Sequence, residues 1–250
     1  MTGPKASVLS GEPSGAQTLM VIPTYNEVSN IPELVRRIFE AVQNINILVV
    51  DDHSPDGTAD LVEKLAGTYP NVGLLRRGGE RGLGRAVTAG ILYGLEHGFE
   101  VIGTMDADLS HDPAYLPSML ALVRKNDVVI GSRYVRDGGT VNWSIRRILL
   151  SWLANRFAAA LLQIPAHDVT SGYRLYRRQA LEWIPMTKIK SSGYSFLGEL
   201  LYRAYRRGAH IVEHPIVFHD RTLGVSKLHH REIYVGALNL LRLRFSMLRS

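Results

Sequence analysis

From Leu19 onward, short apolar runs alternate with longer stretches in which apolar residues recur every three or four positions. The runs predict strands at 19–23, 46–50, 72–76, 100–105 and 127–131, and the longer periodic stretches predict helices at 31–43, 58–68, 83–97 and 114–124. That alternation argues for a largely parallel sheet with right-handed crossovers. Asn30 ahead of Ile31-Pro32-Glu33 reads as an N-cap before a proline in the first turn, and Gly57-Thr58 opens the next helix. After Gly131 the pattern changes to an apolar and basic helix at about 145–163, a strand around 172–176, a helix near 195–207, a strand over 210–218 and a basic helix from about 231. Residues 1–17 are rich in Gly, Pro and Ser and have no period, which predicts a flexible tail. The division expected is therefore a tail (1–17), one α/β domain (18–230) and a basic amphipathic C-terminal helix (231–250), the last a candidate for membrane association.

Two predicted strands end in acids. Asp51-Asp52 closes the run 47–50, and Asp106-Ala107-Asp108 closes the run 101–105. Both pairs fall where an α/β sheet opens its ligand crevice. Carboxylates two residues apart at a strand exit can share one hard cation, Mg²⁺ or Mn²⁺, that also takes phosphate oxygens. Ser110 offers a further hydroxyl ligand, or else caps the helix that starts near Pro113. Pro23-Thr24-Tyr25-Asn26-Glu27 follows the first strand, where a ring can lie beside a base and an acid can accept from it or from a ribose. The same residues also suit a strand-exit turn that caps the next helix, and Ser54-Pro55-Asp56-Gly57 is turn chemistry in its own right. The stretch from Gly78 to Gly84 follows the third strand and lacks the glycine spacing of a dinucleotide fingerprint, so it predicts close backbone approach at a helix start, with Arg85 near phosphate. The lysine motif that cradles phosphates in nucleoside triphosphatases is absent from the sequence.

Charge narrows the partner. The chain carries a formal +6 and a pI near 9.6, and Arg and Lys crowd its second half, which favours phosphate ligands or anionic lipid. Aromatic interleaving and recognition-helix signatures are missing, so nucleic acid is not the expected partner. The absence of cysteine excludes disulfides and thiolate metal sites and suits a cytoplasmic setting. No run of eighteen uncharged apolar residues occurs, and the strongest candidate, 148–164, is broken by Asn155 and Arg156. Arg133 at the fifth strand's exit, with Arg147 and Ser151 four residues apart, supplies guanidinium forks and a hydroxyl suited to a phosphate. Arg221 and Lys227 bracket a glycine-containing loop that suits a lid over a diphosphate.

Taken in order, Pro23-Thr24-Tyr25-Asn26-Glu27, Val50-Asp51-Asp52 with Ser54 to Thr58, Met105 to His111, Gly131-Ser132-Arg133-Tyr134 and Gly224-Val225-Ser226-Lys227 resemble the polyprenyl (dolichyl) phosphate mannose synthases of glycosyltransferase family 2. The resemblance spans about residues 18–230. It implies a GT-A nucleotide-diphospho-sugar fold, GDP-mannose as donor, a polyprenyl monophosphate as acceptor, and a β-linked product formed with inversion. It places Pro23, Tyr25, Glu27, Val50 and Asp52 on the nucleoside, and Asp106, Ala107 and Asp108 at the donor diphosphate and metal. Arg133, Arg147 and Ser151 fall on the acceptor phosphate, and Arg221 and Lys227 on the donor phosphates. It makes Asp106, Asp108 and Arg133 the catalytic set. Some relatives carry glutamine where this chain has Ser110, which leaves the metal's third protein ligand open.

The acceptor sets the expected mechanism. A phosphate monoester is already anionic near neutral pH, so attack on the anomeric carbon needs positioning and charge neutralisation more than a general base. Members of the family that lack membrane-spanning helices reach their lipid at the cytoplasmic face, peripherally or through a membrane-protein partner. Residues 148–162 and 234–245 have the composition of interfacial helices, with Trp152 a headgroup-level anchor. Core packing is the rival reading of the first, and the second is the better membrane candidate. The rival activities are a UDP-glucose-dependent transfer to the same lipid, another family 2 transfer, or non-catalytic membrane binding.

Overall fold

The computed structural model describes residues 17–186, 189, 193–220 and 238–244. β1 (Thr18–Thr24), α1 (Ile31–Ala41), β2 (Asn46–Asp51), α2 (Thr58–Thr68), β3 (Val72–Arg76), α3 (Leu83–Glu96) and β4 (Val101–Thr104) follow the predicted alternation. A 3-10 turn (Pro113–Tyr115) then leads through α4 (Leu116–Val123) to β5 (Val128–Ser132). The second half comprises β6 (Gly139–Val141), α5 (Ile145–Leu162), β7 (Arg174–Arg177), α6 (Arg178–Glu182), α7 (Tyr194–Arg206), β8 (Ile211–Pro215) and β9 (Val217–His219). Residues 238–244 are helical.

The main sheet runs β3-β2-β1-β4-β7-β5-β8, and β6 pairs with β9 in a second sheet of two strands. Strand alternation divides the interior into two cores. Leu19 and Val21 of β1, with Leu48 and Val50 of β2, face Ala86, Val87 and Ile91 of α3 and the side chains of α7. Met20, Ile22, Ile47 and Val49 point the other way, onto Ile31, Leu34, Val35 and Ile38 of α1 and Leu116 and Met119 of α4. Burial on both faces explains why these strands read as continuous apolar runs. α3 lies unusually close to the sheet because a Cβ at Gly90 would stand 2.2 Å from Val21, and one at Gly94 would stand 2.6 Å from Ile102.

Two local expectations change, at Asn30 and over 210–218, while α2 opens at Gly57-Thr58 as expected. Asn30 has helical backbone angles and makes no side-chain cap. Its amide instead donates to Glu27 Oε2 at 2.8 Å. α2 starts after left-handed Gly57, and its first amide is met by Asp56, which also accepts from the Thr58 hydroxyl. The strand over 210–218 divides at buried Ile216, whose N–H donates to Ser132 O, after which β9 leaves the main sheet to pair with β6. β7 runs antiparallel to both β4 and β5. The chain leaving α5 returns at the C-terminal edge of β5, where Asp168 meets Arg133, so the next strand must enter from that end.

The described part of the C-terminal helix packs inward. Leu240 and Leu243 join the core with Phe196 and Leu197, and Arg244 donates to Tyr202 Oη and Gln163 Oε1. The large exposed apolar face belongs to α5 instead, where Ile145, Leu149, Leu150, Trp152, Leu153 and Phe157 are between 44% and 84% exposed.

Candidate active site

The strand order reverses direction between β1 and β4, and a pocket of about 10 Å³, room for about one water, lies beyond their carboxyl ends. Pro23, Thr104, Met105, Asp106, Gly172 and Leu197 line it. Asp106 is its acid. The backbone N–H of Asp106 donates to His111 Nδ1 at 3.2 Å, which assigns the imidazole proton to Nε2. His111 is buried between the rings of Tyr173 and Phe218, each 5.2 Å away by centroid. Burial pushes its pKa below the ordinary histidine value, against the pull of Asp106 and Asp108, so the ring is a neutral prop. Gly172 leaves room for the carboxylate, since a Cβ there would stand 3.0 Å from Asp106 Oδ1.

Asp108 is nearly buried. The chain turns after it through Leu109, a non-glycine residue at φ 62, and Ser110 N–H donates back to Asp108 Oδ1 at 3.1 Å. Left-handed leucine is strained, and such strain concentrates where a site over-determines the backbone. Ser110 caps no helix: Asp112 accepts from Ala114 N–H and does that work. The Ser110 hydroxyl is buried with no hydrogen-bond partner, while its carbonyl accepts from His219 N–H of β9.

The two acids of the earlier pair have different tasks. Asp51 accepts from Thr24 Oγ1, Ser54 N–H and Ser54 Oγ, which ties the two strand-exit loops together. Asp52 pairs with Arg77 and accepts from Gly82 N–H at 2.7 Å, so it fixes the glycine-rich loop at the start of α3. Tyr25 lies beneath Arg81, whose guanidinium carbon is 4.5 Å from the ring centroid. Glu27 N–H donates to Thr58 Oγ1. Val50 and Ala107 send their side chains into the two cores, so only their main chains can face a ligand. Arg85 pairs with Glu80 on the surface.

Arg133, Arg147 and Ser151 gather around Tyr134 and Trp143. Arg133 grips fully buried Asp168 with Nε and Nη2, both at 2.7 Å, and its own N–H adds a third bond. Burial alone would raise the Asp168 pKa, but the Arg133 charge and its hydrogen bonds outweigh that and hold it below the ordinary carboxylate value. Arg147 lies 3.9 Å from the Trp143 ring centroid and pairs with Asp220 at 2.8 Å. Tyr134 Oη is buried and faces Ser151 without a fully formed hydrogen bond. Phe218 touches both halves of the site, 5.5 Å from Arg133 and 5.2 Å from His111. Arg221 and Lys227 lie outside the described residues, and Asp220, which precedes them, reaches Arg147.

The sequence assigns no role of their own to His111, Trp143, Asp168 and Gly172. Asp168-Val169-Thr170-Ser171-Gly172 does carry a signal, a polar run with an acid and a glycine directly before a predicted strand. Nothing local marks its partner, which is 35 residues away.

Among the described residues, no three His, Asp or Glu side chains form a ready metal cage. The donor set still fits a hard cation: two carboxylates at one turn, a partnerless buried hydroxyl at Ser110, and space left open at Gly172. That is an incomplete shell of the kind a diphosphate would complete.

Relatives share this architecture. A polyprenol monophosphomannose synthase of Mycolicibacterium smegmatis is 46% identical over 214 residues, covering 85% of this chain and 81% of its own. An undecaprenyl-phosphate mannosyltransferase of Micrococcus luteus is 44% identical over 212 residues, covering 85% and 87%. A glucosyl-3-phosphoglycerate synthase from Mycobacterium tuberculosis, solved with Mn²⁺, UDP and phosphoglyceric acid, superposes with a TM-score of 0.64 at 16% identity, covering 92% of this chain and 77% of its own. That last likeness shows the fold, GT-A. The profile of Glycosyl transferase family 2 matches residues 20–184, and the chain belongs to that family.

Proposed function

We propose that this protein transfers mannose from GDP-mannose to a polyprenyl monophosphate, forming a β-linked mannosyl phosphate with inversion, at the surface of a membrane. The observation that carries the reading is the closeness of an acid turn and an arginine through one ring: Phe218 lies 5.2 Å from His111, which holds the Asp106 backbone, and 5.5 Å from Arg133. Both reactants are phosphorylated, and two anions about 5 Å apart repel by about 3 kcal/mol at an effective dielectric of about 20. Uncompensated, that repulsion slows transfer more than a hundredfold.

Each side answers part of it. Asp106 and Asp108, with the Ser110 hydroxyl, would hold Mg²⁺ or Mn²⁺; the bound cation supplies charge that stabilises a departing nucleoside diphosphate. Tyr25 and Arg81 form a flat cation–π platform beside the β1 exit, suited to a base. On the acceptor side the two arginines differ. The Arg147–Asp220 pair is one-third exposed at both members, so its partner is exchangeable for a phosphate at small cost. The Arg133–Asp168 pair is buried; separating it is expensive, so Arg133 stays paired while it serves as a donor, and only the tilt of its guanidinium is open to change. The phosphate oxygen needs no proton removed before it attacks, and no side chain here has to act as base.

The exposed face of α5 supplies the approach to lipid. Its apolar side chains share one surface with exposed Arg146 and Arg156, the composition of an interfacial helix on anionic headgroups. The deciding experiment is mass spectrometry of the lipid product formed from a panel of GDP- and UDP-sugars, short prenyl phosphates, and Mg²⁺ or Mn²⁺. Mannosyl phosphate formed from GDP-mannose supports the reading; turnover with a UDP-sugar alone rejects it, and no transfer with any donor points to a binding protein.

A further inference from the structure

α5 buries side chains only along its second half. Its buried residues are Asn155, Ala158 and Leu162, whereas the first half projects Ile145, Leu149, Leu150 and Leu153 outward and carries Arg147 and Ser151. The first fully buried side chain along the helix is an amide. Asn155 Oδ1 accepts from Thr170 N–H at 3.0 Å, while Nδ2 donates to Ser151 O at 2.9 Å and to Thr170 Oγ1 at 3.1 Å.

The Thr170 hydroxyl is saturated. It accepts from Asn155 Nδ2 and from Arg133 Nη2 at 2.9 Å, and donates to Asp168 Oδ1 at 3.4 Å. One donor and two acceptor sites are all that a hydroxyl has. Moving any one partner therefore redirects the bonds to the other two. Satisfying Thr170 N–H would need only the Asn155 carbonyl oxygen; the amide nitrogen and the hydroxyl extend the link from the helix to the guanidinium.

We propose that Asn155 and Thr170 are positioning residues that couple the seating of α5 on an anionic bilayer to the orientation of Arg133, so that engagement of the helix raises affinity for the acceptor phosphate. This rests on the acceptor-side reading above. Arg146 and Arg156, exposed beside the apolar side chains of α5, favour anionic headgroups as the occupant of that face.

The test uses the full chain and a short, water-soluble prenyl monophosphate. Its binding is measured by calorimetry with and without vesicles of mixed phosphatidylglycerol and phosphatidylcholine, and GDP-mannose binding is measured alongside. Vesicles should tighten acceptor binding by the wild type about fivefold or more. Thr170→Val, which keeps the side-chain shape, should weaken acceptor binding and abolish the vesicle effect, with donor binding unchanged; Thr170→Ser should restore both. A Thr170→Val protein that keeps the vesicle response overturns the coupling, as does a wild type that ignores vesicles. Self-association through α5 without a vesicle response assigns the face to a second copy and also overturns it. A wild type that binds prenyl phosphate in a vesicle-dependent way but transfers no mannose fails the functional reading and leaves the coupling standing. One that binds no prenyl phosphate overturns both.

Discussion

Single atoms decide what the Asp106 turn can do. Gly172 has no positive φ, so an alanine fits its backbone; the Cβ contact of 3.0 Å with Asp106 Oδ1 is what matters. Gly172→Ala should leave the fold intact and push the carboxylate by a few tenths of an ångström. A misplacement of that size should lower kcat/KM for the donor by about tenfold while acceptor KM holds, read by steady-state kinetics with each substrate varied. His111 carries a pH signature. Its pKa is depressed in the folded protein, so the unfolded chain binds the proton more readily. The stability contributed by the neutral ring is complete above the unfolded value of about 6.5 and is lost as pH falls toward the lower folded value. Denaturant midpoints measured across that range should fall on acidification in the wild type, and His111→Gln should flatten the slope in that window. Asp106 and Asp108 were legible because adjacency in sequence is adjacency at a turn. His111, only five residues from Asp106, ends the Met105–His111 motif with no role of its own in the sequence, because a lone histidine announces nothing until Tyr173 and Phe218 close around it.

At the level of elements, β1 to β5 and their helices are legible nearly to the residue, because β1, β2, β4 and β5 are buried on both faces and read as apolar runs, and the helices between them show an apolar stripe. The second half was harder. α5 has apolar side chains around most of its circumference, so periodicity could not say which face is buried, and the structure turns most of the large ones outward. Residues 238–244, part of a basic, apolar segment that reads as interfacial, insert Leu240 and Leu243 into the core and leave Leu238 exposed. Composition alone does not distinguish a helix that meets lipid from one that meets α7. The consequence for α5 is measurable. Replacing Leu149, Trp152 and Leu153 together by glutamine removes apolar surface that makes no core contact, so unfolding free energy should change by no more than about 0.5 kcal/mol per site. Sedimentation with anionic vesicles should fall at least tenfold, since each fully buried side chain of this size is worth about 1.5–3 kcal/mol in apolar transfer. Loss of stability without loss of vesicle binding would place this face against protein instead.

Across the whole molecule, the site joins two stretches of chain with different histories of legibility. The proposed donor side lies at the exits of β2, β1 and β4, neighbours in a parallel sheet, and acids that follow apolar runs mark it in the sequence. The acceptor side depends on β7 running backwards between β4 and β5, which brings Asp168 to Arg133 and Gly172 to Asp106. Contacts made by an antiparallel insertion leave no period in the sequence. The proposed cation shell has two carboxylates and a hydroxyl, and the other oxygens a hard divalent ion requires would come from water or from the donor. Asp106 and Asp108 alone should therefore bind Mn²⁺ weakly, and the nucleoside diphosphate should raise that affinity. Linkage makes the effect reciprocal: the factor by which GDP tightens Mn²⁺ binding must equal the factor by which Mn²⁺ tightens GDP binding. Calorimetric titration of each ligand in the presence and absence of the other should return equal factors of about tenfold or more. Asp108→Ala should bring both factors close to one while thermal unfolding stays within a few degrees of the wild type. Tight Mn²⁺ binding without nucleotide, or an Asp108→Ala protein that retains the coupling, would mean that the cation is held elsewhere and that this turn serves only to shape the loop.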